Sequence, residues 1–301
     1  MKNTLILLSS LFLLIACGPI SNDDDLHVNK GKISVAVDES FKQIAEAEIV
    51  GYQAMYPDTE FEVTFVPEQK AIGLLLADSA ELAIVSRELT PKEQTYFTSR
   101  QIEYQPAKMA IDAVTLITSK DNAVKSITMS EIKAALDGTS DKYQLVFDNG
   151  SSSNLNSLTQ TLNVEKLSMQ NIFSAKGTED VISQVSKSSK LIGVIGYNWI
   201  SDVDSKKANA FRETVDILPI EMKDGSKIIP SKNTLSNKTY PLSKTIYLHT
   251  TQHRWGVAKG FVRYACSQVG QIIVDKMDLQ PYYRMAKVIQ MNNTKDINTT
   301  E

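Results

Sequence analysis

Ala80-Glu81-Leu82-Ala83-Ile84-Val85-Ser86-Arg87-Glu88-Leu89-Thr90-Pro91-Lys92-Glu93 is the stretch around which the chain is organised. Leu82 to Val85 is a short, continuous apolar run, the pattern of a strand buried on both faces, and it stops at a hydroxyl and a guanidinium, Ser86-Arg87. Thr90-Pro91-Lys92-Glu93 predicts a helix start, with Thr90 as cap, Pro91 at the first helical position and Glu93 completing a capping box. Ser86 and Arg87 therefore stand at the carboxyl end of a strand, where open α/β sheets collect ligands. A Ser-Arg pair there can hold an anion. From this segment alone, Arg87 reads better as an ordinary solvated arginine in a strand-to-helix loop.

The surrounding sequence repeats the strand–loop–helix order. Ile33 to Val37 alternates like a strand and runs into Asp38-Glu39-Ser40-Phe41, followed by a helical pattern to about Tyr56; Thr59 to Val66 reads as a strand, and about Glu68 to Asp78 as a helix. Ala110-Ile111-Asp112-Ala113-Val114-Thr115-Leu116-Ile117-Thr118 leads to Ile127-Thr128-Met129-Ser130-Glu131-Ile132 and Leu136-Asp137-Gly138, with Tyr240-Pro241-Leu242-Ser243-Lys244-Thr245-Ile246-Tyr247 and Ser267-Gln268-Val269-Gly270-Gln271 further on. In order and spacing these segments resemble the phosphate-binding-protein-like family of periplasmic solute receptors. The resemblance runs from about Lys32 to Met291. It implies an α/β, two-lobed periplasmic-binding-protein fold of type II with two hinge crossovers.

Residues 1–17 combine Met-Lys, an apolar core from Leu5 to Ile15 and Leu14-Ile15-Ala16-Cys17. A positive start, an apolar region too short to span as an ordinary membrane helix and a small residue before a cysteine read as a lipoprotein signal, with Cys17 as the lipidated first residue of the mature protein. Such an acyl group anchors a domain without a spanning helix. Residues 18–30, polar and acidic at Asp23, Asp24 and Asp25, read as a flexible tether. The expected location is the bacterial cell envelope.

With 301 residues, 42% of them hydrophobic and 22% charged, the chain can bury a full core. Its net charge of −3, without a long basic run, gives no footprint for nucleic acid. Once Cys17 is lipidated, Cys266 is the remaining thiol, so no intramolecular disulfide forms; its helix-like surroundings read as those of a buried, inert cysteine. His249 and His253 lack the carboxylate pattern of a metal site, and no cofactor is expected.

The alternation predicts one α/β unit from 31–110, rejoined by 240–291, a second from 111–239, and a polar tail at 292–301. A long strand within Pro106–Thr118 passes from the first unit to the second, and another, from Thr239 to His249, returns. The closing helices are expected at about Trp255–Met277 and Pro281–Ile289. Two crossings make a hinge, and a cleft between hinged lobes suits a small ligand.

The resemblance implies three ligand loops. In the first, Ser40 is a hydroxyl at a helix start, where free N–H groups favour an anion, whereas Glu39 beside it is repulsive to a phosphate unless a proton is shared. The second is Ser86-Arg87. The third is Phe147-Asp148-Asn149-Gly150-Ser151-Ser152-Ser153-Asn154, in which Phe147 stands where relatives carry an arginine, and that loop is equally ordinary turn and N-cap chemistry. Arginine grips an oxyanion with paired charged hydrogen bonds, and phenylalanine offers none. The expected ligand residues are Ser40, Ser86, Arg87, Ser151, Ser152 and Ser153.

Two readings follow. One is a receptor that captures phosphate or a similar small oxyanion and passes it to the permease of an ABC transporter. The other is a binding fold with an altered ligand that serves as an envelope protein-interaction module. An enzyme is not expected, because the chain has neither a Gly-x-Ser-x-Gly elbow nor a His/Asp constellation.

Overall fold

The computed structural model describes residues 27–283. The signal, Cys17 and most of the tether lie outside the described residues, as does the expected helix beyond Tyr283.

Apolar runs bounded by polar turns form the strands of a mixed sheet. These are β1 (Lys30–Asp38), β2 (Asp58–Val66), β3 (Leu82–Val85), β4 (Ala107–Ser119), β5 (Ile127–Thr128), β6 (Gln144–Phe147), β7 (Ile172–Ser174), β8 (Leu191–Gly196), β9 (Val215–Ile217), β10 (Ile220–Glu221), β11 (Lys227–Ile228), β12 (Ser243–Thr250) and β13 (Gln280–Pro281). The main sheet runs β2-β1-β3-β12-β4-β8-β6-β7, with β9 and β13 also on β4; β11-β10-β5 form a small separate sheet. Val215–Ile217 and Ile220–Glu221, close in sequence, thus belong to different sheets.

The helices are α1 (Lys42–Met55), α2 (Glu68–Leu76), α3 (Pro91–Ser99), α4 (Met129–Asp137), α5 (Ser153–Thr161), α6 (Thr178–Ser186), α7 (Lys206–Thr214), α8 (Lys232–Ser236), α9 (Val257–Ala265) and α10 (Gln268–Lys276). Thr90 accepts the N–H of Glu93, and the Glu93 carboxylate accepts that of Thr90, so α3 begins with the capping box its sequence specifies. The single helix expected over Trp255–Met277 is broken into α9 and α10. Ser267 folds back on Tyr264 O through both its N–H, at 2.9 Å, and its hydroxyl, at 2.7 Å. The second helix then presses so close to the first that a Cβ on Gly270 would lie 2.5 Å from Ala265 Cα.

β3 is buried on both faces, which is why it reads as a continuous apolar run, and β1 is buried from Val35 onward. Val35, Val37, Leu82 and Ile84 join the large core, while Ala36, Ala83 and Val85 face α2 and α3 with Ile72, Leu75 and Phe97. β4 positions the site. Its first half pairs with β12 and β13, and from Val114 onward it pairs with β8 and β9, so one strand serves two groups of strands. β1 pairs in parallel with β2 and β3, as β6 does with β7 and β8.

Candidate functional site

Asp38 ends β1, and a 3-10 turn, Glu39–Phe41, leads into α1. The turn is tied by Asp38, whose two carboxyl oxygens accept Ser40 N at 3.3 Å and Ser40 Oγ at 2.9 Å. The Ser40 carbonyl accepts Asn198 Nδ2 at 2.7 Å and Trp199 Nε1 at 3.1 Å, both from the turn after β8. Glu39 faces the other way. Its carboxylate accepts Thr178 N at 2.9 Å and Thr178 Oγ1 at 3.0 Å, capping α6 where Gly177 supplies no side-chain cap. The acid that sequence placed beside the ligand is committed to a helix terminus.

The third loop follows β6. Phe147 is buried in the core, so no guanidinium stands there. Ser152 is the N-cap of α5, its hydroxyl accepting Asn154 N at 3.1 Å. Ser153 opens the helix with its hydroxyl 2.9 Å from that of Ser40. Ser151 is exposed, its N–H on Asn149 Oδ1 at 2.8 Å, away from both hydroxyls.

Lys244, 6% exposed, completes this cluster from β12. Its ammonium donates to Asn154 Oδ1 at 2.6 Å, Ser40 Oγ at 3.1 Å and Ser153 Oγ at 3.5 Å, and stands 4.3 Å from the centre of the Phe41 ring. One buried cation thus joins the turn after β1 to the first turn of α5.

Carboxyl groups surround it. Burial pushes Asp38 up to about 6 against the pull of Lys244, with the Glu68 charge adding to the rise. Burial also raises Asp112, whose carboxylate accepts Asn198 N and Nδ2 at 3.1 and 2.8 Å. Asp148 is raised well above the ordinary carboxylate range, by burial first and then by the charges of Asp38 and Glu39.

Ser86 and Arg87 lie at the end of β3. Ser86 donates both its N–H, at 2.7 Å, and its hydroxyl to Glu68 Oε1. The Arg87 guanidinium forms a paired bridge to Glu93 at 2.8 and 2.9 Å and reaches Gln69 Oε1 at 3.1 Å. That bridge holds the Glu93 carboxyl down at about 2. Behind the loop, buried His249 donates from Nε2 to the Arg87 carbonyl at 2.9 Å, a structural role for a histidine without metal-site spacing. Ser86, Arg87 and Glu68 share a cleft of about 380 Å³ with Lys244, Ser243 and the outer face of α5 at Asn156 and Gln160. A larger hollow of about 540 Å³, bounded by Lys232, Gln271, Asp275 and Tyr283, contains none of the expected ligand residues.

Residues 27–269 match the family model for the PBP superfamily domain. The chain belongs to the PBP superfamily. As a member, it has the α/β periplasmic-binding-protein fold. It is similar to the phosphate-binding protein PstS of Staphylococcus epidermidis, 24% identical over 216 residues, which are 66% of this chain and 63% of the relative. It is also similar to PstS of Staphylococcus saprophyticus, 23% identical over 199 residues, 62% of this chain and 59% of the relative. The matches thus span about three fifths of those relatives' own lengths.

Among solved structures, a substrate-binding protein with bound phosphate from Clostridium perfringens superposes with a TM-score of 0.70 at 21% identity, over 84% of this chain and 100% of that one. An ABC-type phosphate transport receptor from Vibrio cholerae gives 0.61 at 18% identity, over 83% and 100%.

In this superfamily member, the expected residues fall into separate places: Ser40 with Ser153, Ser86 with Arg87, Ser152 as a cap and Ser151 in solvent. Lys244, Asp38, Asn154 and Glu68 were missed. Lys244 carried a signal, because Leu242, Ile246 and Leu248 put the inward phase of β12 on every second residue, and a lysine occupies one of those positions.

Proposed function

We propose that this chain is an extracytoplasmic solute receptor, anchored through lipidated Cys17, that captures phosphate or a similar small oxyanion and presents it to an ABC importer. The observation that carries this reading is the placement of Lys244 and Arg87, one from β12 and one from the end of β3, along the same hydroxyl-lined cleft. Charged hydrogen bonds from such groups are the strong ones in anion recognition. At about 30 Å³ per water, the cleft has room for about a dozen waters, enough for a tetrahedral oxyanion and part of its hydration shell. Superfamily membership and the PstS relatives support the same reading.

In this reading 31–110 with 240–291 form one lobe and 111–239 the other, and β4 and the return through Tyr240–Leu242 supply the hinge. The receptor binds without turnover. Among the described residues no group of three or more His, Cys, Asp or Glu side chains could hold a metal ion, and no helix is long and apolar enough to cross a membrane. Calorimetric titration with phosphate tests the proposal, which expects saturable binding.

One observation favours the second reading, an interaction module with an altered ligand. The donors at the end of β3 are already engaged, Ser86 by Glu68 and Arg87 by Glu93. Absence of phosphate binding, together with a protein partner recovered by cross-linking at the envelope, would decide for it.

A further inference from the structure

Three donors at the carboxyl end of β3 converge on one buried side chain. Glu68, 2% exposed, is the first residue of α2, and its Oε1 accepts the Ser86 N–H and the Ser86 hydroxyl, while its Oε2 lies 3.8 Å from Arg87 Nε. An amide, a hydroxyl and a guanidinium around a single pair of oxygens is the donor set that an oxyanion takes. Glu68 lines the cleft beside Lys244, so a ligand that enters meets this carboxylate.

We propose that Glu68 is a tethered anion seated on the Ser86–Arg87 donors, and that it sets the affinity of the cleft by competing with a free oxyanion. This rests on the reading of the cleft as an anion site. Occupation of these donors by a ligand requires that the Glu68 carboxylate leave them or lose its charge, and either opposes binding. The Coulomb repulsion between the tethered and the free anion acts in a partly buried setting, where it is screened less than at the surface.

A purely structural role, bracing the loop after β3 against α2, makes a different prediction. Glutamine at this position keeps an oxygen that accepts both Ser86 bonds and removes only the charge. The test is calorimetric titration of the full-length chain and its Glu68→Gln variant with inorganic phosphate at pH 7, with melting curves of both. The expected result is a gain in phosphate affinity of roughly tenfold or more in the variant, the scale of a recovered charged hydrogen bond. Glu68→Ala, which removes the charge and also vacates the Ser86 donors, is expected to gain as well. In the Glu68→Ala background, Ser86→Ala should reduce the gain, because it removes the Ser86 hydroxyl from the donors that Glu68 had occupied.

Phosphate binding by the native chain with no gain in either Glu68 variant overturns the inference and leaves the receptor reading intact. Binding by a variant alone supports the inference and removes phosphate as the ligand of the native chain. No binding by any of the three proteins overturns both.

Discussion

Lys244 Nζ lies 2.6 Å from Asn154 Oδ1, a contact that joins β12 to the first turn of α5 across the middle of the molecule. Hydrogen bonds from the same ammonium to Ser40 and Ser153 bring two of the three loops expected to hold a ligand around one charge. Phe147, buried at the end of β6, brings no cation to this cluster, whereas Lys244 brings one from β12.

Replacement of Glu39 separates two roles for that acid. If Glu39 faced the ligand, Glu39→Ala would tighten anion binding. Its carboxylate instead caps α6 through Thr178, so the variant should lose about 0.5–2 kcal/mol of stability and gain no phosphate affinity. Chemical denaturation paired with calorimetry reads both quantities.

Gly196 marks a close approach. A Cβ there would stand 2.7 Å from Asn198 Nδ2 and 2.8 Å from the Ser40 carbonyl, the two partners that hold the Ser40 turn against the end of β8. Gly196→Ala should therefore cost about 1–3 kcal/mol, as overpacking does, and weaken ligand binding by displacing Ser40. Unchanged melting and unchanged affinity would show that this contact does not position the site.

Glu48 is expected to make the stability of the chain depend on pH. It is fully buried on the inward face of α1, both carboxyl oxygens lack a hydrogen-bond partner among the described residues, and burial pushes it up to about 9. An acid whose folded pKa lies above its unfolded value favours the fold fully below the unfolded pKa, about 4.5, and that contribution is lost as pH rises from there through about 9. The loss is on the order of 1 kcal/mol per pH unit within that window. Glu48→Gln, neutral at every pH, should flatten the decline in melting temperature between pH 5 and pH 8 and be more stable than the native chain at the higher value. Parallel declines in both proteins would mean that other groups carry the dependence.

Much of the fold was legible because backbone signals are local. The apolar run Leu82–Val85 and the Thr90–Glu93 box specify a strand end and a helix start without reference to anything distant. The site was legible only in part, because side-chain pairing is not local. Ser86 meets Glu68, 18 residues away, and Ser40 meets Ser153 and Lys244, 113 and 204 residues away. Buried ionisable groups do leave a trace in the pattern. Lys244 interrupts the inward phase of β12, Asp112 sits within the apolar run of β4, and Glu48 shares the inward face of α1 with Ile44, Ala45, Ile49 and Tyr52. What that pattern lacks is the identity of the partners, and for this reason Arg87 read as a free cation although Glu93, six residues on, both caps α3 and holds the guanidinium.

The most direct test of an oxyanion receptor centred on Lys244 is calorimetric titration of the full-length chain with phosphate at pH 7, after unfolding and refolding to strip any carried ligand, beside its Lys244→Met variant. The account predicts saturable binding by the native chain and a loss of roughly tenfold or more in affinity in the variant, the scale of a charged hydrogen bond. Phosphate affinity that is the same in both proteins, or a native chain that gives neither heat nor thermal stabilisation, would contradict it.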